Sequence, residues 1–340
     1  MQISPDTLTA IREMLDTIPG PDESAAAAAD NREPQLTKPP GALGRLEKIA
    51  RWAATWQGRH PPTASNITVR IFAGNHGVTA RGVSAFPAEV THQMVGNFAA
   101  GGAAINQLCR TIGAHLDVIA LDLDIPTGDF SAGPAMSDAE TAEAFSSGMA
   151  AIDPAADLLC IGEMGIGNTT SAAALAMAIH GGDAVDWTGP GTGVSGDALK
   201  NKAKVVAEAV IIHTRDNPDG LALLARLGGR ELAAMAGAIL AARLNRVPVV
   251  LDGYVATAAA AALKAVREDV LDHCVAGHVS QEPGHRRLLD KLSLEPILDL
   301  GMRLGEGSGA ALAAGVVRAA VQCHGGMATF AEAGVSDKDD

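Results

Sequence analysis

The sequence predicts an α/β fold: an open, mostly parallel, doubly wound (Rossmann-like) sheet with a small helical domain drawn from both termini. Three observations carry this. From residue 67 onward, short β-rich apolar runs alternate with Ala-rich stretches of helical period, the pattern of strands joined by crossover helices. Several of those runs end directly in Gly- or Asp-containing turns, and such sheets bind ligands beyond the carboxyl ends of their strands. Helical patterns also stand before the first run and after the last.

The elements follow in order. Residues 4–18 place Leu8, Ile11, Leu15 and Ile18 on one helical face, and Pro19, Gly20 and Pro21 stop it. The alanines at 25–29 suit a short helix or a spacer equally. Residues 43–56 form a helix with Leu43, Leu46, Ile49, Ala50 and Ala53 on one face, and Trp52 and Trp56 read as packing groups. Strands are expected at 67–72, 116–121, 158–161, 247–251 and 274–278. Helices are expected near 88–108, 171–180, 197–214, 231–243, 255–266 and 309–322. The division is therefore 1–60 as a helical part of the small domain, 61–305 as the sheet domain, and 306–340 as the second helical part. The polar, acidic tail from Val335 is expected to fray.

Composition narrows the function. The chain has 340 residues with 39 acidic and 26 basic side chains, a formal charge of −13. That balance argues against nucleic acid as a partner, because such binding rests on Lys and Arg neutralising phosphates. The four cysteines lie far apart with no CxxC pair, so neither a zinc knuckle nor a redox pair is supported. The first residues lack the basic start and apolar core of a signal peptide, and no uncharged apolar run suits a membrane span. The expected setting is cytoplasmic, without a membrane partner.

Four segments could carry chemistry. In 158–170 an apolar strand runs into Gly162, Gly165 and Gly167, and Asn168, Thr169 and Thr170 open an Ala-rich helix. Free N–H groups at a helix start suit a phosphate, and the absence of GK[ST] excludes a Walker loop. Gly191, Gly193 and Gly196 spell GxGxxG before a helix that carries Lys200, Lys202 and Lys204. This is either a dinucleotide fingerprint, for which 184–187 would be the strand, or another phosphate loop. Glu306 lies between Gly305 and Gly307, where it can be a desolvated general base or a helix-capping loop carboxylate. His278, Ser280, Glu282 and His285 match no established zinc spacing, so they read as polar ligand contacts, as do Asn75 and His76. His76 serves equally well as a structural histidine. No metal site is expected.

Taken together, KPPGALGRLE (38–47), AGNHGV (73–78), GEMGIGNTT (162–170), LDGY (251–254), HVSQEPG (278–284) and MRLGEGSGAALA (302–313) resemble the nicotinate-nucleotide–dimethylbenzimidazole phosphoribosyltransferase family. The resemblance implies a transferase that moves the 5-phosphoribosyl group of nicotinate mononucleotide to 5,6-dimethylbenzimidazole. The products would be α-ribazole 5′-phosphate and nicotinate, in assembly of the cobalamin nucleotide loop. It implies one inversion at C1′ with Glu306 as the general base, and Glu163 as a second acid lining the site. Gly165, Gly167, Asn168, Thr169, Thr170, Gly191, Lys202 and Ser280 would meet the phosphoribosyl side. Phe86, Met94, Met164, Met302 and Leu304 would line the base pocket, with Phe86 and Met94 standing where some members carry smaller or polar groups. No cofactor is implied, since nicotinate mononucleotide is a substrate, and the family's homodimer implies a second copy as partner. Readings from other classes are a NAD-dependent oxidoreductase resting on GxGxxG and a non-catalytic nucleotide-binding module. The first needs an acidic ribose partner at a strand end, whereas Asp216 is expected to follow a helix.

Overall fold

The computed structural model describes residues 4–336; the tail residues 337–340, with the fraying expected there, lie outside the described residues. Six strands form one sheet: β1 (Ile67–Ala73), β2 (His115–Ala120), β3 (Leu158–Met164), β4 (Val249–Leu251), β5 (Cys274–His278) and β6 (Pro296–Leu298). Their order is β2-β1-β3-β4-β5-β6 and every pairing is parallel. The winding reverses between β1 and β3, which makes a topological switch point where sheets of this kind bind ligands. β1 is buried along its whole length, whereas the edge strand β2 is half-exposed.

Before the sheet stand α1 (Leu8–Asp16), α2 (Glu23–Arg32) and α3 (Arg45–Gln57). The side chains of Thr7 and Asp22 cap the first two, so the alanine run is helical. Between β1 and β2 lie α4 (Glu89–Ala100) and α5 (Ala104–Ile112). The single helix expected at 88–108 is broken because Gly101 takes a left-handed conformation (φ +78°) and ends α4. After β2 comes α6 (Asp138–Ala150), opened by a Ser137–Glu140 capping box. Then β3 leads to α7 (Asn168–His180), α8 (Ala184–Trp187), α9 (Gly196–His213), α10 (Gly220–Leu227) and α11 (Arg230–Leu244). After β4 follow α12 (Tyr254–Lys264), β5, α13 (Pro283–Leu292), β6, α14 (Ser308–Gly326) and α15 (Phe330–Ala333).

Three differences from the sequence reading matter. Residues 184–187 are a helical turn, not a strand. β3 runs on to Met164, so Gly162 and Glu163 belong to the strand and not to the loop. β6 and the helices α6, α10, α13 and α15 have no counterpart among the elements expected from periodicity; β6 has only three residues and opens on Pro296.

The sheet separates two apolar cores. Phe72, Leu159, Ile161, Val249 and Leu251 pack under α6, α7, α10, α11 and α12. Val69, Ile71, Leu158, Cys160 and Val250 pack under α3, α5 and α14. The alternation along β1 and β3 feeds both faces. α6 and α11 approach each other closely at two glycines: a Cβ on Gly148 would lie 1.8 Å from Ala234 O, and one on Gly237 would lie 1.9 Å from Phe145 O. The termini meet where α3 packs on α14 and Arg32 donates to the carbonyls of His324 and Met327. α1 lies elsewhere, against α6, where Ser146 donates to Pro5 O.

Candidate active site

A cavity of about 600 Å³ opens at the carboxyl ends of the strands. Most of its walls come from the segments that follow a strand. Phe86, Val90 and Met94 come from the approach to α4 and from α4 itself; Glu163, Met164, Gly165, Ile166, Asn168 and Thr169 come from the β3–α7 turn. Gly253, Tyr254 and Val255 open α12, and His278, Ser280 and Glu282 follow β5. Gly191 and Thr192 close one side, and Arg303, Leu304, Gly305 and Glu306 another.

Of the residues that the family resemblance assigned to the site, Gly167, Thr170, Lys202 and Met302 do not line this cavity; the others do. Gly167 (φ +94°) turns the chain into α7 with Thr79 against it. Thr170 is wholly buried within α7. Lys202 is buried behind the wall, where its Nζ donates to Thr169 Oγ1 (2.8 Å) and Gly189 O (3.0 Å). Met302 offers its main-chain oxygen to Gln281 N (3.0 Å).

The loop that carries Glu306 is unusual. Gly305, Glu306 and Gly307 have φ of +79°, +59° and +72°. For the glutamate this left-handed conformation costs about 1 kcal/mol. The two glycines are required by neighbours and not by the ligand: a Cβ on Gly305 would stand 2.5 Å from Glu163 Oε1, and one on Gly307 would stand 2.7 Å from Ile71 Cδ1. Asp252, at the end of β4, holds the loop from below by accepting from Gly307 N (3.0 Å) and Ala310 N (2.9 Å). Ser308 Oγ donates to Gly305 O (2.6 Å). In sequence Asp252 shows one signal, an acid at a strand end within LDGY. Arg303, Tyr254, Thr192 and Val90 carried no such signal.

The electrostatics follow from burial. Glu306 is 7% exposed, and its carboxylate has no hydrogen bond or ion pair among the described residues. Burial, then the nearby Asp252, pushes its pKa up to about 7. Burial, again with Asp252 next, pushes Glu163 up to about 8, although Asn168 Nδ2 donates to it. Burial lowers Lys202 to about 8, and raises Glu282, whose Oε1 accepts from Gly191 N (2.9 Å).

The cavity has two chemically different ends. On the β1 side Phe86, Val90, Met94, Met164, Ile166 and Leu304 form an apolar slot, at whose rim Phe86 and Leu304 are half-exposed. On the β4–β5 side α12 begins at Gly253 with no side-chain cap, so its first amides are free for an anion.

Other candidates resolve plainly. His76 and Asn75 are buried away from the cavity: His76 pairs with Glu231 (2.5 Å) and Ser171 (3.1 Å), and Asn75 donates to Leu123 O. His285 is equally occupied, by Thr257 and Ser280 N. Among the described residues no group of three or more His, Cys, Asp or Glu is placed to hold a metal ion. The GxGxxG loop follows a helical turn, and Asp216, which follows α9, pairs with Arg226, so the dinucleotide fingerprint lacks its strand and its ribose acid. No helix among the described residues is long and apolar enough to cross a membrane.

Comparison with known proteins agrees with this geometry. The family model DBI_PRT, described as Phosphoribosyltransferase, matches residues 18–335. The chain is 62% identical over 330 residues to a protein of Ruegeria pomeroyi, covering 97% of this chain and 98% of that one. It is 61% identical over 328 residues to one of Sinorhizobium fredii, covering 96% and 97%. Both are named nicotinate-nucleotide–dimethylbenzimidazole phosphoribosyltransferase. The crystal structure of CobT from Thermus thermophilus superposes with a TM-score of 0.87 at 42% identity, over 93% of this chain and all of that one.

Proposed function

The chain belongs to the nicotinate-nucleotide–dimethylbenzimidazole phosphoribosyltransferase family, and from that premise we propose how its cavity performs the transfer. The enzyme moves the 5-phosphoribosyl group of nicotinate mononucleotide to 5,6-dimethylbenzimidazole, a step in assembling the nucleotide loop of cobalamin. The observation that carries the mechanism is Glu306: a desolvated carboxylate with no protein partner, beside an apolar slot and across from free helix-start amides.

The base lies flat in the slot of Phe86, Met94, Met164 and Leu304. Glu306 takes the proton from one ring nitrogen while the lone pair of the other attacks C1′. The C1′–N bond of the donor breaks, its electrons return to the pyridinium nitrogen, and nicotinate leaves with a neutral ring. A single displacement inverts the β-nucleotide to the α-product. Positive charge on the ribose peaks in the transition state, where Glu163 and Glu306 line the cavity and Asp252 lies beneath the loop that carries Glu306. The phosphate is held at the other end by main-chain amides of α7 and α12, with Lys202 supporting Gly189 and Thr169 from behind.

The reaction so written needs no cofactor. We further place the enzyme in the cytoplasm as a homodimer, in keeping with the family resemblance. The direct test is incubation with nicotinate mononucleotide and a panel of bases, with mass detection of nucleotide products. An α-ribosyl nucleotide and stoichiometric nicotinate are expected; tight mononucleotide binding without nicotinate release would reduce the protein to a binding module.

A further inference from the structure

His278 is the last residue of β5, is 1% exposed, and lines the cavity. Its ring is clamped between two glycines. A Cβ on Gly309 would fall 2.0–2.5 Å from the ring, and one on Gly253 would lie 3.3 Å from Nε2. Yet among the described residues neither ring nitrogen has a hydrogen-bond partner. The Asp252 carboxylate stands 3.7 Å from Nε2, too far for a hydrogen bond, and its oxygens already accept from Gly307 N and Ala310 N. His285, the neighbouring imidazole on α13, has both nitrogens occupied. Burying an unpaired polar group is unfavourable, so a ring held rigidly in that condition at a cavity wall calls for a partner that arrives with the ligand.

The surroundings identify that partner. Gly253 starts α12 without a side-chain cap, and Ser280 lines the wall two residues beyond His278. Free helix-start amides, a hydroxyl and an imidazole together make a site for a tetrahedral oxyanion. It lies on the β4–β5 side, away from the apolar slot beside β1. We propose that His278 donates a hydrogen bond to the phosphate of the donor nucleotide, so that the imidazole gains its missing polar partner only in the complex. This assignment rests on the phosphoribosyl-transfer reading above.

The test compares nicotinate mononucleotide with nicotinate riboside, which lacks only the phosphate. In His278→Leu the KM for the mononucleotide should rise about tenfold or more, the loss expected for a charge-assisted hydrogen bond, and the KM for the riboside should rise much less. His278→Gln, which keeps a donor, should recover part of the loss. The melting temperature of ligand-free His278→Leu should not fall, because the buried nitrogens have no partner to lose. In wild-type protein with 15N-labelled histidine, the His278 ring resonance, assigned by its absence in the Gln variant, should move on adding the mononucleotide. A wild-type KM in the Leu variant, an equal loss for both donors, or an unmoved resonance would overturn the proposal. Failure of the wild-type enzyme to turn over the mononucleotide would instead overturn the reading on which it rests.

Discussion

Replacing Glu306 with Gln changes one atom and removes one proton acceptor. The site should keep its shape, because the backbone of the loop is held by Asp252 and Ser308 and not by the glutamate carboxylate. A positioned general base contributes about 10²- to 10⁴-fold in rate, or about 3–5 kcal/mol of barrier, so E306Q should lose that much kcat with little change in donor affinity. The pH profile adds a second, sharper number. With a pKa of about 7, the carboxylate is roughly nine-tenths ionised at pH 8 and roughly one-tenth at pH 6. Wild-type kcat/KM should therefore fall about tenfold for each unit below pH 7. An ordinary glutamate, with a pKa near ~4.3, would leave the rate flat to about pH 5. The assay is nicotinate release under subsaturating base from pH 5 to 9, for wild type and E306Q. Turnover by E306Q within about threefold of wild type at pH 8 would refute the assignment, since that is far below the range for a general base.

Three other outcomes follow from the same geometry. Glu163 has its pKa raised to about 8 from 4.5 by burial; the stability tied to its neutral form is present below about pH 4.5 and is lost as pH rises through 8. Glu163→Gln should therefore raise the urea midpoint at pH 9, by a stability on the order of a few kcal/mol, and leave it unchanged at pH 5; equal shifts at both pH values would contradict this. Phe86→Ser opens the rim of the apolar slot and should change the rank order of accepted bases in a competition assay; an unaltered order would place the slot elsewhere. Gly237→Ala drives a methyl to within 1.9 Å of Phe145 O and should cost about 1–3 kcal/mol or more by forcing α6 and α11 apart, measured by denaturant unfolding; a neutral result would show that the crossing yields easily.

How far the sequence reaches can be judged residue by residue. The apolar runs at 67–72, 158–161 and 274–278 are buried on both faces, so local composition identified β1, β3 and β5 and with them the parallel sheet. The glycine-rich turn before Asn168 and the GEG triplet announced themselves because special backbone conformations demand special residues. The three-residue β6 stayed hidden because its strand state comes from pairing with β5 and not from its own propensity. Residues 184–187 suit a strand in sequence but form a helical turn, because four residues are too few for a period to show. Lys202 carried the right motif, but only the packing of α9 against α7 puts it behind the wall instead of in the cavity. The same holds for protonation. The residue type of Glu306, Glu163 and His278 is written in the chain, whereas their isolation from water is made by strands distant in sequence that end side by side at one end of the sheet. Local interactions act within a few residues and can be read along the chain; burial and electric field depend on everything within several ångströms in space, and only the folded arrangement sets them.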